Sequence, residues 1–376
     1  MVSNSWGWKV HWSVTHEPQP WQSRQGFPWE GIQFFQGLKP FVADSGAVIE
    51  DWQLAYEEWG PTNGSPIVIF HALTGDSHAA SHSQRGLSGW WERVIGPELG
   101  LDTTHCHVLC FNALGGAMGS TGAWSLDPQG KPWGSRFPKL TLFDIARGAH
   151  ALISSWRAGP IRIIGGSMGG MLGYAYAALY PEEVRALMAI GAPIRHEPWA
   201  IAFHAVGRSA IMQDPCFKGG DYYEGPYPET GLALARMADM ISYQHPTSMA
   251  KKFGRNKQEP ELKDFAVTSY LHYQGEKLVS RYDANTYITL TQAMDEFALQ
   301  ESQIKRLEKT RVWMVGMESD LLYMPEEIQA HHDFLAACGV PLHLKWLNGP
   351  WGHDTFLVDQ AQAGNLVARF IQETDT

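Results

Sequence analysis

Residues 161–180 read IRIIGGSMGGMLGYAYAALY: a short apolar run, then Ser167 between two pairs of glycines, then a helix-forming stretch. A serine in a strained strand-to-helix turn lifts its hydroxyl above the edge of a sheet, and the flanking glycines remove side chains that would collide there. The start of the helix places the Met168 backbone N–H where a negative oxygen would develop. A glycine-rich turn can also serve tight packing or phosphate binding. The spacing here lacks the GxGxxG of dinucleotide sites, and the strand-turn-helix context favours a nucleophile.

The surrounding chain repeats the rhythm of short apolar strands and helices. PIVIFHA (66–72), HVLCFNAL (107–114), RALMAIGA (185–192), RVWMVGM (311–317) and LHLKWL (342–347) are separated by stretches long enough for helices. Such alternation predicts a buried, mostly parallel sheet flanked by helices. Helices are expected around 325–338 and, as one amphipathic element, over Thr355–Gln372. IQFF (32–35) and AVIEDWQLAYEEWG (47–60) alternate as an antiparallel hairpin at a sheet edge would. Residues 193–310 break the pattern and read as an inserted helical lid. The expected organisation is a core of 1–192 and 311–376, with an irregular tryptophan-rich arm over 1–30, and a lid of 193–310.

A serine elbow of this kind requires an acid and a histidine later in the chain, each on a loop after a strand. Glu318-Ser319-Asp320 follows one strand, and Asn348 to Asp354 follows the last. Asp320 at the loop apex is the expected acid in preference to Glu318. His353, preceded by Gly352, is the expected base. The order Ser167, Asp320, His353 predicts an α/β-hydrolase fold. His78 and His82, four residues apart with Asp76 nearby, lack a third metal ligand at a recognisable spacing and read as a loop-to-helix surface. No metal is expected.

Bulk properties narrow the partners. The 376 residues carry 29 basic against 39 acidic side chains, a formal charge of -10 with no block of like charge, which disfavours nucleic acid. Four scattered cysteines (Cys106, Cys110, Cys216, Cys338) suggest neither a disulfide framework nor zinc, and fit a reducing cytoplasm. No secretory leader or long apolar run is evident, so no membrane association is expected.

Several separated motifs together resemble homoserine O-acetyltransferase: Gly165 to Gly170, His71 to His78, Gly89-Trp90-Trp91, Asn112 to Gly116 with Gly119 to Gly122, Gly219 to Tyr223, Gly231 to Arg236, Tyr273-Gln274-Gly275, Asp283-Ala284-Asn285 and Gly352-His353-Asp354. The resemblance spans about residues 31–370. It implies transfer of an acetyl group from acetyl-CoA, as co-substrate and with no further cofactor, through an acyl-Ser167 to the hydroxyl of L-homoserine in methionine biosynthesis. It further implies backbone N–H groups of Leu73 and Met168 as the oxyanion hole, Arg236 on the acceptor carboxylate, Asp354 on its ammonium, and a homodimer. Arg236 also stands between Leu232 and Met240 on an apolar helix face, although a helical pair with Asp239 would explain it equally simply. Trp351 and Ala123 depart from the tyrosine and proline expected there, and Asp320 is followed by Leu321-Leu322-Tyr323. A succinyl donor, a serine acceptor, or an esterase or thioesterase using the same triad remain open alternatives.

Overall fold

The computed structural model describes residues 30–84, 86–257 and 265–375, so residues 1–29 of the expected arm lie outside it. Eight strands form one sheet: β1 (Gln33–Gln36), β2 (Gln53–Trp59), β3 (Ser65–Phe70), β4 (Cys106–Phe111), β5 (Ile161–Gly166), β6 (Val184–Ile190), β7 (Arg311–Met317) and β8 (Leu342–Leu347). Their order is β1-β2-β4-β3-β5-β6-β7-β8. From β4 to β8 every pairing is parallel, while β2 runs antiparallel to both β1 and β4. The expected antiparallel pairing is present between β1 and β2, with Gln33 opposite Tyr56 and Gln36 opposite Gln53, but Val48–Ile49 of the expected second strand pair instead with Phe41–Val42 in a separate small sheet.

The central strands are mainly apolar because both faces are covered, with His107 on β4 and Arg162 on β5 as buried exceptions. On β3, Val68 and Phe70 enter one core layer and Ile67 and Ile69 the other, all at most 1% exposed. Each such side chain contributes about 1.5–3 kcal/mol by leaving water. Helix α1 (Leu142–Trp156) covers one layer, and α2 (Met168–Leu179) follows the serine turn. Nearly every residue of α2 is buried, which explains a helix without a polar face.

Between β6 and β7 the chain forms α3 (Pro198–Gln213), α4 (Glu229–Tyr243), α5 (Pro246–Phe253), α6 (Ala266–Val279), α7 (Ala284–Asp295) and the short α8 (Glu301–Lys305). Asp283 anchors this segment. Its buried carboxylate caps α7 by accepting from Thr286 N at 2.9 Å and also accepts the hydroxyls of Tyr222 (2.6 Å) and Tyr223 (3.0 Å).

After β7 come α9 (Pro325–Ala337), β8, α10 (Thr355–Val358) and α11 (Gln360–Thr374). The single terminal helix expected over Thr355–Gln372 is thus two helices. Asp359 breaks it with φ -96° and ψ 69°, and its side chain caps α11 by accepting from Gln362 N. Among the described residues no helix is long and apolar enough to cross a membrane.

Candidate active site

Ser167 lies between β5 and α2 with φ 54° and ψ -122°, a left-handed conformation costly for a residue with a side chain. Its N–H donates to Ile190 O at 2.8 Å, tying the turn to the end of β6. The glycines follow from close packing. A Cβ on Gly169 would sit 1.9 Å from Phe70 O, so α2 can approach β3 only with glycine there.

Asp320 and His353 converge at the same rim. Asp320 Oδ1 accepts from the N–H groups of Leu322 (2.8 Å) and Tyr323 (3.0 Å), which leaves Oδ2 to accept His353 Nδ1–H at 2.7 Å. Ser319 joins the two loops, because its hydroxyl accepts from Gly352 N at 3.0 Å. Gly352 has φ +67°, and a Cβ on it would lie 2.4 Å from Tyr243 O; a larger residue would push the histidine loop off α4. Gly191, next to the carbonyl that holds Ser167, is close enough to the imidazole that a Cβ there would be 3.2 Å from His353 Cε1. Asp320 and His353 are thereby paired, beside the turn that carries Ser167. Asp320 holds the imidazole proton on Nδ1, so Nε2 faces the site as a lone pair, buried and with no hydrogen-bond partner among the described residues.

Burial opposes charging of His353, but the Asp320 carboxylate and its hydrogen bond, with Asp354 farther out, outweigh it and raise the imidazole above its ordinary 6.5. A general base must be neutral to accept a proton, so activity is lost as pH falls through this raised value. The acid limb of a kcat/KM profile is expected to have its midpoint above pH 6.5; a midpoint below it would contradict this electrostatic arrangement.

Leu73 and Met168 are both buried, on the loop after β3 and at the first position of α2. Among the described residues neither N–H donates a backbone hydrogen bond. The peptide that carries the Leu73 N–H is fixed from its other side, since Ala72 O accepts from Gly75 N (2.8 Å) and His71 Nδ1 (2.8 Å). His71 Nε2 accepts from Ala113 N at 3.0 Å. These two bonds need a neutral imidazole, and burial pushes its pKa down to about 4. Sequence reasoning did not single out His71; its place at the end of a buried strand was the available signal. From the inserted segment, Tyr282 donates its hydroxyl to Leu73 O, and Arg281 Nη1 donates to Thr74 O at 2.7 Å.

Arg236 on α4 and Asp354 beside the base are half-buried. The helical pairing of Arg236 with Asp239 is not formed among the described residues: Asp239 Oδ1 instead accepts the Tyr287 hydroxyl at 2.9 Å. Burial raises Asp239 to about 7, against the pull of the Arg236 charge and the Tyr287 bond, so it compensates that charge incompletely at neutral pH. Arg236 Nη1 is buried with no partner, and the guanidinium lies 5.4 Å from the Tyr243 ring centroid. Asp354 Oδ2 accepts from Gln244 Nε2 at 2.9 Å. Burial raises its carboxyl above the usual range, with Arg236 and His353 pulling the other way. A guanidinium with spare donors, close enough to Asp354 to favour its ionised form, and a carboxylate next to the imidazole suit a zwitterion with a hydroxyl.

A family model described as the alpha/beta hydrolase fold matches residues 65–358. The homoserine O-acetyltransferase of Symbiobacterium thermophilum is 41% identical over 89% of this chain and 93% of that protein. The chain belongs to the homoserine O-acetyltransferase family. Among solved structures, the homoserine O-acetyltransferase from Bacillus anthracis matches with a TM-score of 0.82 at 23% identity, over 90% of this chain and 97% of that one. Esterase E22 matches equally well, with a TM-score of 0.82 at 23% identity over 90% and 99%. At that identity both likenesses establish the shared fold alone; family membership rests on the sequence relatives.

The surface reading of His78 and His82 is overturned. His78 Nδ1 and His82 Nε2 lie 2.8 and 2.9 Å from the fully buried Glu57 on β2, which also accepts the Ser77 hydroxyl at 2.8 Å. Ala55, Glu57 and Trp59 alternate inward on β2, so the strand period already placed a carboxylate under this loop.

Proposed function

We propose that this chain transfers an acetyl group from acetyl-CoA to the hydroxyl of L-homoserine, a step of methionine biosynthesis. The observation that carries the reading is the pairing of Arg236, with its unpartnered buried Nη1, and Asp354 beside the serine-histidine-aspartate arrangement. Relatives about 40% identical across nearly the whole chain carry the same named activity.

His353 Nε2 takes the Ser167 proton as the hydroxyl attacks the thioester carbonyl. The oxyanion is held by the N–H groups of Leu73 and Met168, each such donor typically worth about 3–4 kcal/mol in the transition state. The tetrahedral intermediate collapses, the Ser167–acetyl ester forms and the carbon–sulfur bond breaks. The His353 proton passes to the departing coenzyme A thiolate. Homoserine then binds with its carboxylate on Arg236 and its ammonium on Asp354. His353 accepts the proton of its hydroxyl, which attacks the ester, and the proton returns to Ser167 as O-acetylhomoserine leaves. Acetyl-CoA is thus a co-substrate, and the scheme uses no other cofactor.

In this reading residues 193–310 act as the lid, Tyr282 and Arg281 securing it to the oxyanion loop. Trp199, Leu234, Ile241 and Tyr273, each about half exposed on α3, α4 and α6, are read as part of a homodimer surface. Four free thiols suit a cytoplasmic enzyme.

Arg236→Ala tests the acceptor site. The variant should acquire an acetyl group on Ser167 from acetyl-CoA at the normal rate, yet lose about 10²–10³-fold in kcat/KM for homoserine, the cost of removing a buried charged partner. Intact-mass kinetics with acetyl-CoA, then with homoserine, serine or water, reads both steps. Normal transfer to homoserine by Arg236→Ala would contradict the assignment; discharge of the parent protein by water as fast as by homoserine would favour an esterase.

A further inference from the structure

Three successive carbonyls of the loop after β3 are each held by a hydrogen bond, and two of the donors come from the inserted segment. Ala72 O accepts from His71 Nδ1 and Gly75 N, both at 2.8 Å. Leu73 O accepts the hydroxyl of Tyr282, and Thr74 O accepts from Arg281 Nη1 at 2.7 Å. Carbonyl and N–H point in opposite directions across a trans peptide, so anchoring Ala72 O turns the Leu73 N–H the other way. The next peptide shares the Leu73 Cα, and a tilt of one is passed to the other through the Leu73 dihedrals. Holding Leu73 O and Thr74 O therefore limits how far the Leu73 N–H can swing.

Both donors suit this task. Tyr282 is buried, and burial raises its phenol far above the ordinary pKa, so the hydroxyl keeps its proton to give. Burial, and after it the charge of Arg236, lowers Arg281 to about 10, which leaves it a cation at neutral pH. The two residues also stand on a firm base, immediately before α7. At the start of that helix the Asp283 carboxylate holds Thr286 N and the hydroxyls of Tyr222 and Tyr223. At its end Asp295 accepts from His204 Nδ1 at 2.8 Å and lies 2.6 Å from Arg208 Nη2 and 3.2 Å from His196 Nδ1. A helix pinned at both ends gives Tyr282 and Arg281 little freedom to withdraw.

We propose that Tyr282 and Arg281 are positioning residues for the oxyanion hole: by holding the carbonyls of Leu73 and Thr74, the inserted segment keeps the Leu73 N–H aimed at the oxygen that becomes negative when Ser167 attacks. The inference rests on Leu73 N–H being an oxyanion donor, as in the reaction above. It makes the inserted segment part of the acyl-transfer machinery as well as its cover. Without these two bonds an acyl donor still binds, but its developing charge loses part of one donor.

The test separates binding from charge stabilisation. Tyr282→Phe keeps the ring and leaves Leu73 O without the phenol, so acetylation of Ser167 by acetyl-CoA should slow about tenfold, the scale of one lost hydrogen bond to a buried carbonyl. The KM for homoserine and the affinity for free coenzyme A should not change. A trifluoromethyl ketone analogue of acetyl-CoA, which captures the serine oxygen as a hemiketal oxyanion, should bind more weakly by the same factor. Because the hole serves any acyl donor, acetylation by p-nitrophenyl acetate should fall in parallel. Arg281→Met should show the same pattern, and Arg281→Lys, whose ammonium can still donate to Thr74 O, should recover most of the rate. A merely structural role would lower the melting temperature and weaken coenzyme A and the analogue alike. Acetylation of Tyr282→Phe at the parental rate overturns the proposal, as does an equal loss of affinity for coenzyme A and for the analogue. If the tyrosine variant does not fold, the two Arg281 variants decide: equal rates in Arg281→Met and Arg281→Lys overturn it. If the unsubstituted protein is acetylated by p-nitrophenyl acetate but not by acetyl-CoA, the donor assignment fails while the aryl ester rates still decide this inference. If neither ester acylates Ser167, the nucleophile reading fails, and this inference with it.

Discussion

Ser167→Ala is expected to form no acyl-enzyme and to lose about 10⁵–10⁶-fold in kcat, the scale seen when a serine nucleophile is removed from a triad that acts as a unit. The structure makes this loss specific to chemistry. The strain at φ 54° belongs to the backbone and is imposed by the close approach of α2 to β3, so alanine inherits it unchanged. The Ser167 N–H bond to Ile190 O is likewise retained. The variant should melt at the parental temperature and bind homoserine with unaltered affinity, measurable by calorimetry. A variant that folds and still turns over at a substantial fraction of the parental rate would exclude the serine route.

Asp320→Asn should cost about 10⁴-fold in kcat with little structural change. In the parent, Oδ2 accepts His353 Nδ1–H, and Oδ1 accepts two backbone N–H groups. Those backbone donors require an acceptor, so the asparagine carbonyl must occupy the Oδ1 position and its NH₂ must face His353. The imidazole then accepts at Nδ1 and carries its proton on Nε2, where it cannot take one from Ser167. The loss should be in the acetylation step, with the structure otherwise preserved. A rate within tenfold of the parent, measured as the burst of coenzyme A release, would mean that Asp320 does not hold the tautomer.

What the sequence made legible was whatever a local pattern encodes. The GxSxG turn, the alternation of apolar strands and helices, and the order Ser167, Asp320, His353 predicted the sheet and the convergence of the three side chains. The preference for Asp320 over Glu318 was also legible from its place at the loop apex, where its Oδ2 accepts from His353 Nδ1. Groups defined by contacts across the fold were not. His71 looked like any other histidine until Ala113 N and Ala72 O were seen to bind its two nitrogens. The His196–Asp295 link joins a loop after β6 to the end of α7, about a hundred residues on, and nothing in either segment announces the other.

Two local signals were misread for the same reason. The terminal amphipathic pattern continued through Asp359, where a side-chain cap competes successfully with the helix. His78 and His82 were assigned to a surface although the period of β2 had turned Glu57 inward beneath them. Arg236 shows the converse. Its helix face was read correctly, but only the structure shows that Asp239 is engaged by Tyr287 and leaves the guanidinium available.

In the proposed reaction the serine at the strand-helix turn carries the acyl group between donor and acceptor. Acid quenching after mixing with acetyl-CoA alone, followed by peptide mapping, tests it most directly. One acetyl group is expected on the peptide containing Ser167, located at that side chain, absent in Ser167→Ala, and lost with stoichiometric appearance of O-acetylhomoserine when homoserine is added. An acetyl group on a different residue, or O-acetylhomoserine formed at full rate with no acetylated intermediate, would contradict it.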